Sequence, residues 1–247
     1  MCGGIVLPMT DYVERRSAHE VLACTWSRAR PPGASVVNVV PDACADVMWH
    51  RESGRLFVAG PDTCAHPTTL SGGSLVGVRF RPGRAPAGLG VPASAVRDER
   101  VDLDGLWPAD RVRRLADELA AAPSVLAAEQ VLASAVASVG AEWDRAAPRL
   151  LELVARGERV ASVADALGWS ERQLHRRSLA AFGYGPKVLQ RVVRFDRALR
   201  LARRGRREPA GPAAGLASVA YAAGYADQAH LAREVRTLAG VPMTALL

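Results

Sequence analysis

The sequence predicts an α+β protein, with a β-rich N-terminal half and an all-α C-terminal half that carries one helix-turn-helix pattern twice. Three observations lead there. The chain has 247 residues, enough for two domains. Short apolar runs broken by Pro and Gly extend to about residue 106, and helical spacing takes over from Pro108. Charge divides the same way. Residues 1–145 hold 15 Arg against 17 acidic residues, residues 146–247 hold 17 basic against 8 acidic ones, and the formal net charge is +7. A basic half is what a phosphate-binding surface requires. Lys187 is the sole lysine, which explains Arg over Lys but not the asymmetry between halves.

In the N-terminal half, strands are expected at Val21–Trp26, Ser35–Val40, Asp46–His50, Arg55–Ala59 and Ser74–Phe80. The breaks are Pro31-Pro32-Gly33, Pro41-Asp42, Gly60-Pro61, Gly72-Gly73 and Pro82-Gly83. Short strands with frequent turns suggest a small sheet or barrel. From Pro108, Val112, Leu115, Ala116 and Leu119 follow the i, i+3, i+4, i+7 spacing of an amphipathic helix. Pro123-Ser124 ends it and starts another, to about Gly140, whose apolar positions suit packing on a partner helix of this chain or of a second subunit. Pro148 opens a third helix through Leu150, Leu151, Leu153 and Val154. The domains are therefore expected as 1–145, β-rich to about 106 and helical over 108–140, and 146–247.

The duplicated pattern begins at Ser162-Val163-Ala164 and again at Ser218-Val219-Ala220, 56 residues later, with the turn glycines Gly168 and Gly224 at the same internal spacing. Ala164 and Ala220 each precede the turn glycine by four residues. A small residue there lets two helices cross closely, and Gly relieves the chain reversal. This is the helix-turn-helix arrangement, whose second helix lies in a DNA major groove. In the first copy Ser170-Glu171-Arg172-Gln173 reads as a capping box, and the recognition helix runs to about Phe182 with Leu174 inward. Arg172, Gln173, His175 and Arg176 are the candidate reading residues, since Arg and Gln suit bidentate contacts to guanine and adenine. In the second copy Asp227 is the expected N-cap, Gln228, His230 and Arg233 are candidate readers, and Arg236 could reach a phosphate. Between the copies, a linker helix starts at Gly185-Pro186 and presents Arg191, Arg194, Arg197 and Arg200 on one face. A helix of about 18 residues spans most of the roughly 34 Å between adjacent major grooves. A basic Pro/Gly-rich loop is expected from Arg203 to Gly215.

These residues resemble the AraC/XylS family of bacterial transcription regulators. The resemblance is carried by Ala222-Ala223-Gly224-Tyr225-Ala226-Asp227-Gln228-Ala229-His230-Leu231-Ala232-Arg233-Glu234, by Ser170–Leu174, by Phe182-Gly183-Tyr184-Gly185-Pro186, and by Arg191, Arg194 and Phe195. It covers about Pro148–Leu247. The chain departs from the family at Leu231 and Val235, where core aromatics are usual, in Pro242, one residue early, and in the long Gly205–Gly215 loop. In the N-terminal half, Pro41–Asp46, Gly60-Pro61, Gly77–Gly83 and Gly90-Val91-Pro92 look like the sensor-type domain of one branch of the family. The resemblance implies a cupin-like barrel that binds a small molecule and forms a homodimer. The partners then expected are double-stranded DNA, an effector and RNA polymerase.

For an effector, Trp26, Met48, Trp49, Phe57 and Phe80 are the candidate pocket residues, with Arg79 or Arg81 meeting an anionic group; the same aromatics would serve equally as plain core. The alternative is a metal- or redox-responsive regulator using Cys44, Cys64, His50 and His66, of which Cys44 could also border the pocket. The four cysteines, Cys2, Cys24, Cys44 and Cys64, contain no Cys-x-x-Cys pair, and reduced thiols are expected. A cupin-type enzyme fused to a DNA-binding module, or a repair methyltransferase, is a further alternative. No His-x-His, Gly-x-Ser-x-Gly or phosphate-cradling Gly loop supports one, so no catalytic residue and no cofactor is expected. The chain has no run of eighteen apolar residues and no basic-then-apolar opening, so a cytoplasmic protein with no membrane partner is expected.

Overall fold

The computed structural model describes residues 12–30, 35–70, 72–207 and 215–247. Cys2, the Pro31-Pro32-Gly33 break and the 208–214 part of the expected basic loop lie outside them. Eight strands occur among the described residues: β1 (Tyr12–Arg16), β2 (Leu22–Arg30), β3 (Ser35–Val39), β4 (Asp46–His50), β5 (Arg55–Ala59), β6 (His66–Leu70), β7 (Gly73–Phe80) and β8 (Arg100–Asp102). Six form a sheet in the order β1-β2-β7-β4-β5-β8, and β3 pairs with β6 separately; every pairing is antiparallel. The two sheets face each other across a cavity lined from both, an open two-sheet arrangement called the barrel below.

The five expected strands are β2, β3, β4, β5 and β7. The other three escape local pattern for identifiable reasons. β1 reads Tyr-Val-Glu-Arg-Arg and is a polar edge strand held by β2. β6 opens His66-Pro67, and Pro demotes a strand in sequence; here it sits opposite Asn38 in a two-stranded ladder. β8 has three residues and exists through its pairing with β5.

The large sheet has two different faces because consecutive side chains alternate. Val47, Trp49, Leu56, Val58, Val76, Val78 and Phe80 face one way and form a core with α1 (Ala85–Leu89), α2 (Ala109–Ala120) and α3 (Val125–Ala137). Trp26 and Met48 face the cavity and cluster with the buried Cys24, with Phe57 and Leu75 packed beside them. Helix α3 is fastened to the sheet by Glu129, which is fully buried and accepts from Arg15 Nη1 and Thr25 Oγ1, both at 2.7 Å. Ala128, Leu132, Ala133 and Val136 pack within the chain, while Val125 and Leu126 at the start of the helix are exposed.

The C-terminal half contains α4 (Ala147–Ala155), α5 (Val160–Leu167), α6 (Glu171–Phe182), α7 (Pro186–Arg207), α8 (Leu216–Ala223) and α9 (Gln228–Ala239). Helix α7 is longer than expected, at 22 residues, because Arg203-Arg204-Gly205-Arg206-Arg207 continues it rather than starting the loop. It serves two cores. Leu189 and Val192 join Leu150, Val163, Leu174 and Phe182; Phe195, Ala198, Leu199 and Ala202 join Val219, Ala220, Leu231 and Val235. The N-terminal half contributes to both through one loop, Ala43 to the first and Val40 to the second.

Gly77 is covered closely by the Trp26 indole. A Cβ there would lie 2.2 Å from the Trp26 indole. The indole is buried and donates from Nε1 to Asp46 Oδ1 at 2.8 Å, so it cannot simply turn away. Gly77→Ala is expected to lower stability by about 1–3 kcal/mol, the usual cost of overpacking. Urea unfolding checks this, and a midpoint equal to that of the parent protein would contradict it.

Candidate DNA-binding surface and barrel pocket

Both helix-turn-helix units are built by the same local devices. Gly168 and Gly224 end α5 and α8 in the left-handed region, at φ 66° and 87°. The residues after them return to the helix: Trp169 N–H donates to Ala164 O and Tyr225 N–H to Ala220 O, each at 2.9 Å. Ala164 and Ala220 are buried where the helices cross. The internal spacing, however, is not identical. The N-cap of α6, Ser170, is the second residue after Gly168, whereas that of α9, Asp227, is the third after Gly224. The second turn carries one extra residue, and the recognition helices are offset accordingly.

The candidate readers divide into two groups. Arg172, His175 and Arg176 on α6, and Gln228, Arg233 and Arg236 on α9, are exposed. Arg176 and Arg233 are each the sixth residue of their helix. Among the described residues none of Arg172, Arg176, Arg233 and Arg236 forms a salt bridge, and all four are exposed. The second group is already engaged. Gln173 closes the capping box, its Oε1 accepting from Ser170 N–H at 2.8 Å while Ser170 Oγ accepts from Gln173 N–H at 3.2 Å. The Asp227 carboxylate caps α9, accepting from His230 N–H at 2.6 Å. His230 lies edge-on to Tyr225, with ring centroids 5.1 Å apart.

Arg191 and Arg194 are engaged within the chain in the same way. Their guanidiniums turn towards α9, where Glu234 is buried. Arg194 Nη2 donates to both Glu234 oxygens at 2.8 and 3.0 Å and stacks on Tyr225, and Arg191 lies 3.5 Å from the same carboxylate. Two cations on one buried carboxylate lock the linker helix to the second recognition helix. Burial opposes the charge of Arg194, and the Glu234 carboxylate outweighs it and pushes the pKa up.

The β-rich half holds the C-terminal ends of both recognition helices. Arg97 Nη1 donates to Gly183 O at 3.2 Å, placing a cation where the dipole of α6 is negative. Tyr184 is buried and its hydroxyl donates to Asp62 O at 2.7 Å, while Ser178 Oγ on α6 donates to Tyr184 O. Arg177 makes a bidentate pair with Asp144, at 2.6 and 2.7 Å, and stacks on Trp169. At the other helix Ala65 N–H donates to Leu238 O at 2.6 Å. The N-terminal turns stay exposed.

The barrel cavity has a volume of about 490 Å³. Trp26, Met48, Phe57 and Arg79 line it as expected. Trp49 and Phe80 do not: Met48 and Trp49 are consecutive on one strand and must face opposite sides, and both Trp49 and Phe80 belong to the helix-covered core. Cys44 and Arg81 are also absent from the lining. The Cys44 thiol contacts Asp42 O at 3.7 Å, and Arg81 is exposed. His50 and His66 line the cavity, whereas Cys64 is exposed on a loop. Among the described residues no three His, Cys, Asp or Glu side chains converge as metal ligands. No described helix is long and apolar enough to cross a membrane.

Sequence reasoning missed the network behind the cavity. Arg79 is almost fully buried and pairs with Asp46, through Nε at 3.1 Å, and with Asp42, through Nη1 at 3.3 Å. Burial opposes the Arg79 charge, but the two carboxylates outweigh it and raise its pKa. Burial also pushes the Asp42 carboxyl up, against the pull of Arg79. Asp42 lies in the loop that carries Val40 and Ala43 into the helical cores. Asp196 on α7, paired with Arg200 at 2.8 Å, completes the junction; burial, with Asp42 nearby, pushes it up to about 6. Arg100 binds Asp62 at 2.9 and 2.7 Å, the residue whose carbonyl takes Tyr184. A run of aspartates among Pro and Gly reads locally as turn chemistry, so only the fold reveals the ion pairs.

Comparison with known proteins adds the following. Residues 163–247 match the family described as a helix-turn-helix domain, and residues 17–102 match a domain of unknown function, DUF6597. No curated protein matches by sequence. Among solved structures, ToxT from Vibrio cholerae is similar at 9% identity and TM-score 0.45, covering 96% of this chain and 98% of that one. ToxT of strain SCE256 with a bound unsaturated fatty acid is similar at 10% identity and TM-score 0.43, covering 95% and 94%. ToxT of strain O395 bound to (E)-4-(8-methylnaphthalen-1-yl)but-3-enoic acid is similar at 10% identity and TM-score 0.45, covering 96% and 100%.

Two outcomes are expected from these contacts. Asp227→Ala removes the cap of α9 and lowers stability by about 1 kcal/mol, read by thermal or urea unfolding; an unchanged midpoint would contradict the capping role. Asp196 has a folded pKa raised to about 6, above its unfolded value. Its contribution to stability is therefore complete below the unfolded pKa and is lost as pH rises through about 6. Moving from about pH 7.5 to about pH 5 should recover about 1–1.5 kcal/mol through this group. Asp196→Asn should flatten that part of the profile; an equally steep profile in the variant would rule the assignment out.

Proposed function

We propose that this chain, whose C-terminal domain belongs to the AraC-type helix-turn-helix family, is a sequence-specific transcription regulator that reads two adjacent major grooves with α6 and α9. Its N-terminal domain, taken as residues 1–145, responds to a small molecule in the barrel, and residues 146–247 bind DNA. The observation that carries this reading is the asymmetry of the recognition helices. Their N-terminal turns expose arginines, while their C-terminal ends are held by loops of the barrel half.

The roles follow from that asymmetry. Arg176 and Arg233 occupy the same place on their helices and are the base readers, with Gln228 beside the second and His175 beside the first. Arg172 and Arg236 supply salt-dependent phosphate affinity. Gln173, His230, Asp227, Arg191 and Arg194 set the position of the helices rather than touching bases. The ties from α7 to both cores hold the spacing of the two helices, so the site should be bipartite. The effector acts through the barrel loops, since the residues that line the cavity include Arg79 and Arg100, whose aspartate partners lie in the loops that grip the helical half.

Selection of genomic fragments by the purified full-length protein at physiological salt tests the reading. The expected result is one bipartite motif with half-sites about one helical turn apart. Arg176→Ala and Arg233→Ala should each cost about 1–3 kcal/mol and relax a single position, in different halves of the motif. Equal loss on all sequences would make both arginines phosphate contacts. No enriched motif, with and without cell extract as an effector source, would overturn sequence-specific reading.

A further inference from the structure

Residues 60–65, the connection between β5 and β6, touch both helix-turn-helix units. The strands on either side belong to the cavity wall. Ala59 ends β5, His66 and Pro67 open β6, and all three line the cavity. Between them, Asp62 O accepts from the Tyr184 hydroxyl at 2.7 Å, and Ala65 N–H donates to Leu238 O at 2.6 Å. Tyr184 directly follows the cap of α6, and Leu238 lies in the last turn of α9. One loop thus meets the C-terminal end of each recognition helix. The two points of contact are separated by a stretch of chain that spans at most about 10 Å.

The loop is anchored within the barrel half. Gly60 N–H donates to Glu99 O at 3.0 Å, and Pro61 O accepts from Asp98 N–H at 3.1 Å. The Asp98 carboxylate accepts from Thr63 N–H at 2.6 Å and from the Thr63 hydroxyl at 2.9 Å. A Cβ on Gly60 would lie 1.5 Å from Val96 O, so the chain passes where no side chain fits. Asp62 is joined to both halves. Its carboxylate takes Arg100 Nη1 and Nη2 at 2.9 and 2.7 Å, and Arg100 lines the cavity. The further hydrogen bond of Arg100, to Glu99 O, also stays in the barrel half. The Asp62 carbonyl holds Tyr184, whose own carbonyl accepts from Ser178 Oγ on α6 at 2.7 Å. Asp62, Tyr184 and Ser178 are all buried, so water does not readily replace a lost partner. A continuous line of hydrogen bonds therefore runs from the cavity wall to the first recognition helix.

We propose that the 60–65 loop is the element through which the cavity wall sets the separation of the two recognition helices, with Asp62 and Tyr184 as its positioning residues. This rests on the reading of the chain as a two-headed DNA reader with an effector barrel, and it names the contact that joins the two. A molecule in the cavity that draws Arg100 away leaves the buried Asp62 carboxylate without its cation, an arrangement unfavourable enough to drive the loop to a new position. Tyr184 and α6 move with the loop. The exposed N-terminal turns, which the loop does not touch, keep their base preferences. The change reaches DNA as altered spacing rather than altered base choice. One base pair of spacer moves a half-site by about 3.4 Å along the duplex and turns it by about 35°, so small shifts between the helices are legible in the preferred spacer.

Fluorescence anisotropy of the full-length protein tests this on duplexes carrying the two half-sites that the parent protein selects. The spacer is native, one base pair shorter or one longer, and a second set has one base changed within a half-site. The parent should lose at least about tenfold in affinity on either altered spacer, comparable to a mismatched base. Tyr184→Phe removes only the hydroxyl and should bring the spacer penalty to within about threefold, with the mismatch penalties of the parent kept. Arg100→Gln, in the cavity wall, should lower the spacer penalty in the same direction, which a purely local packing role of Tyr184 would not produce. Arg55→Gln breaks the ion pair to Asp102 at the other end of the β5–β8 pairing and should leave the spacer penalty unchanged. Spacer penalties equal to the parent's in both Tyr184→Phe and Arg100→Gln overturn the inference and leave two-headed reading standing. So does an effect of Tyr184→Phe alone, which makes that residue a packing contact with no line to the cavity. Equal loss on spacers and mismatches, or the same change in Arg55→Gln, means general loosening and also overturns it. A parent protein with no bipartite site, or indifferent to the spacer, overturns two-headed reading itself and this inference with it.

Discussion

The structure depends on one buried cation. Arg79 sits on the central strand of the large sheet and is shared by Asp46, on the neighbouring strand, and Asp42, in the loop that leaves the barrel. Taking a carboxylate out of water costs several kcal/mol unless an opposite charge compensates it. Arg79 compensates two at once. The loop it holds places Val40 in the core of the second helix-turn-helix unit and Ala43 in the core of the first. The end of the barrel and the junction between the two halves are therefore a single electrostatic unit, in which no member can move without exposing or orphaning another charge.

The second constraint is helix α7. A helix of 22 residues whose two ends pack into different cores cannot bend without opening one of them. Arg191 and Arg194 add charge to this arrangement by converging on Glu234, so the linker grips the second recognition helix by side chain as well as by packing. The barrel half completes the clamp from the other side, at Gly183 and Leu238. Whatever shifts the barrel loops relative to one another acts at the base of both recognition helices, with no need to reach their exposed turns.

The sheet itself explains why a cavity exists beside a dry core. Alternation sends Trp49, Val58, Val78 and Phe80 beneath α2 and α3, and the same strands send Trp26, Met48 and Phe57 the other way. Gly77 lacks the side chain that would fill the middle of the cavity face, and the Trp26 indole lies over it. The helix-covered face is buried, and among the described residues the opposite face meets the two-stranded β3–β6 ladder across a cavity.

Much of this was legible in the chain. The duplicated turn with its glycine, the alanine four residues before it, the caps at Ser170 and Asp227 and the inward Leu174, Leu231 and Val235 are set by neighbours within one or two helical turns, and such relations survive in sequence. So does the charge asymmetry that separates the two halves. Tertiary structure decided the rest. Arg194 looks like any arginine of a basic helix until Glu234, 40 residues away, is folded against it. Met48 and Trp49 are both plausible pocket residues until the pleat assigns one to each face. The extra residue in the second turn becomes visible once the helix start is defined by its cap. The role of an ionisable or aromatic side chain depends on its partners across space, which local spacing does not encode; the periodicity and capping of an element depend on its own neighbours, which it does.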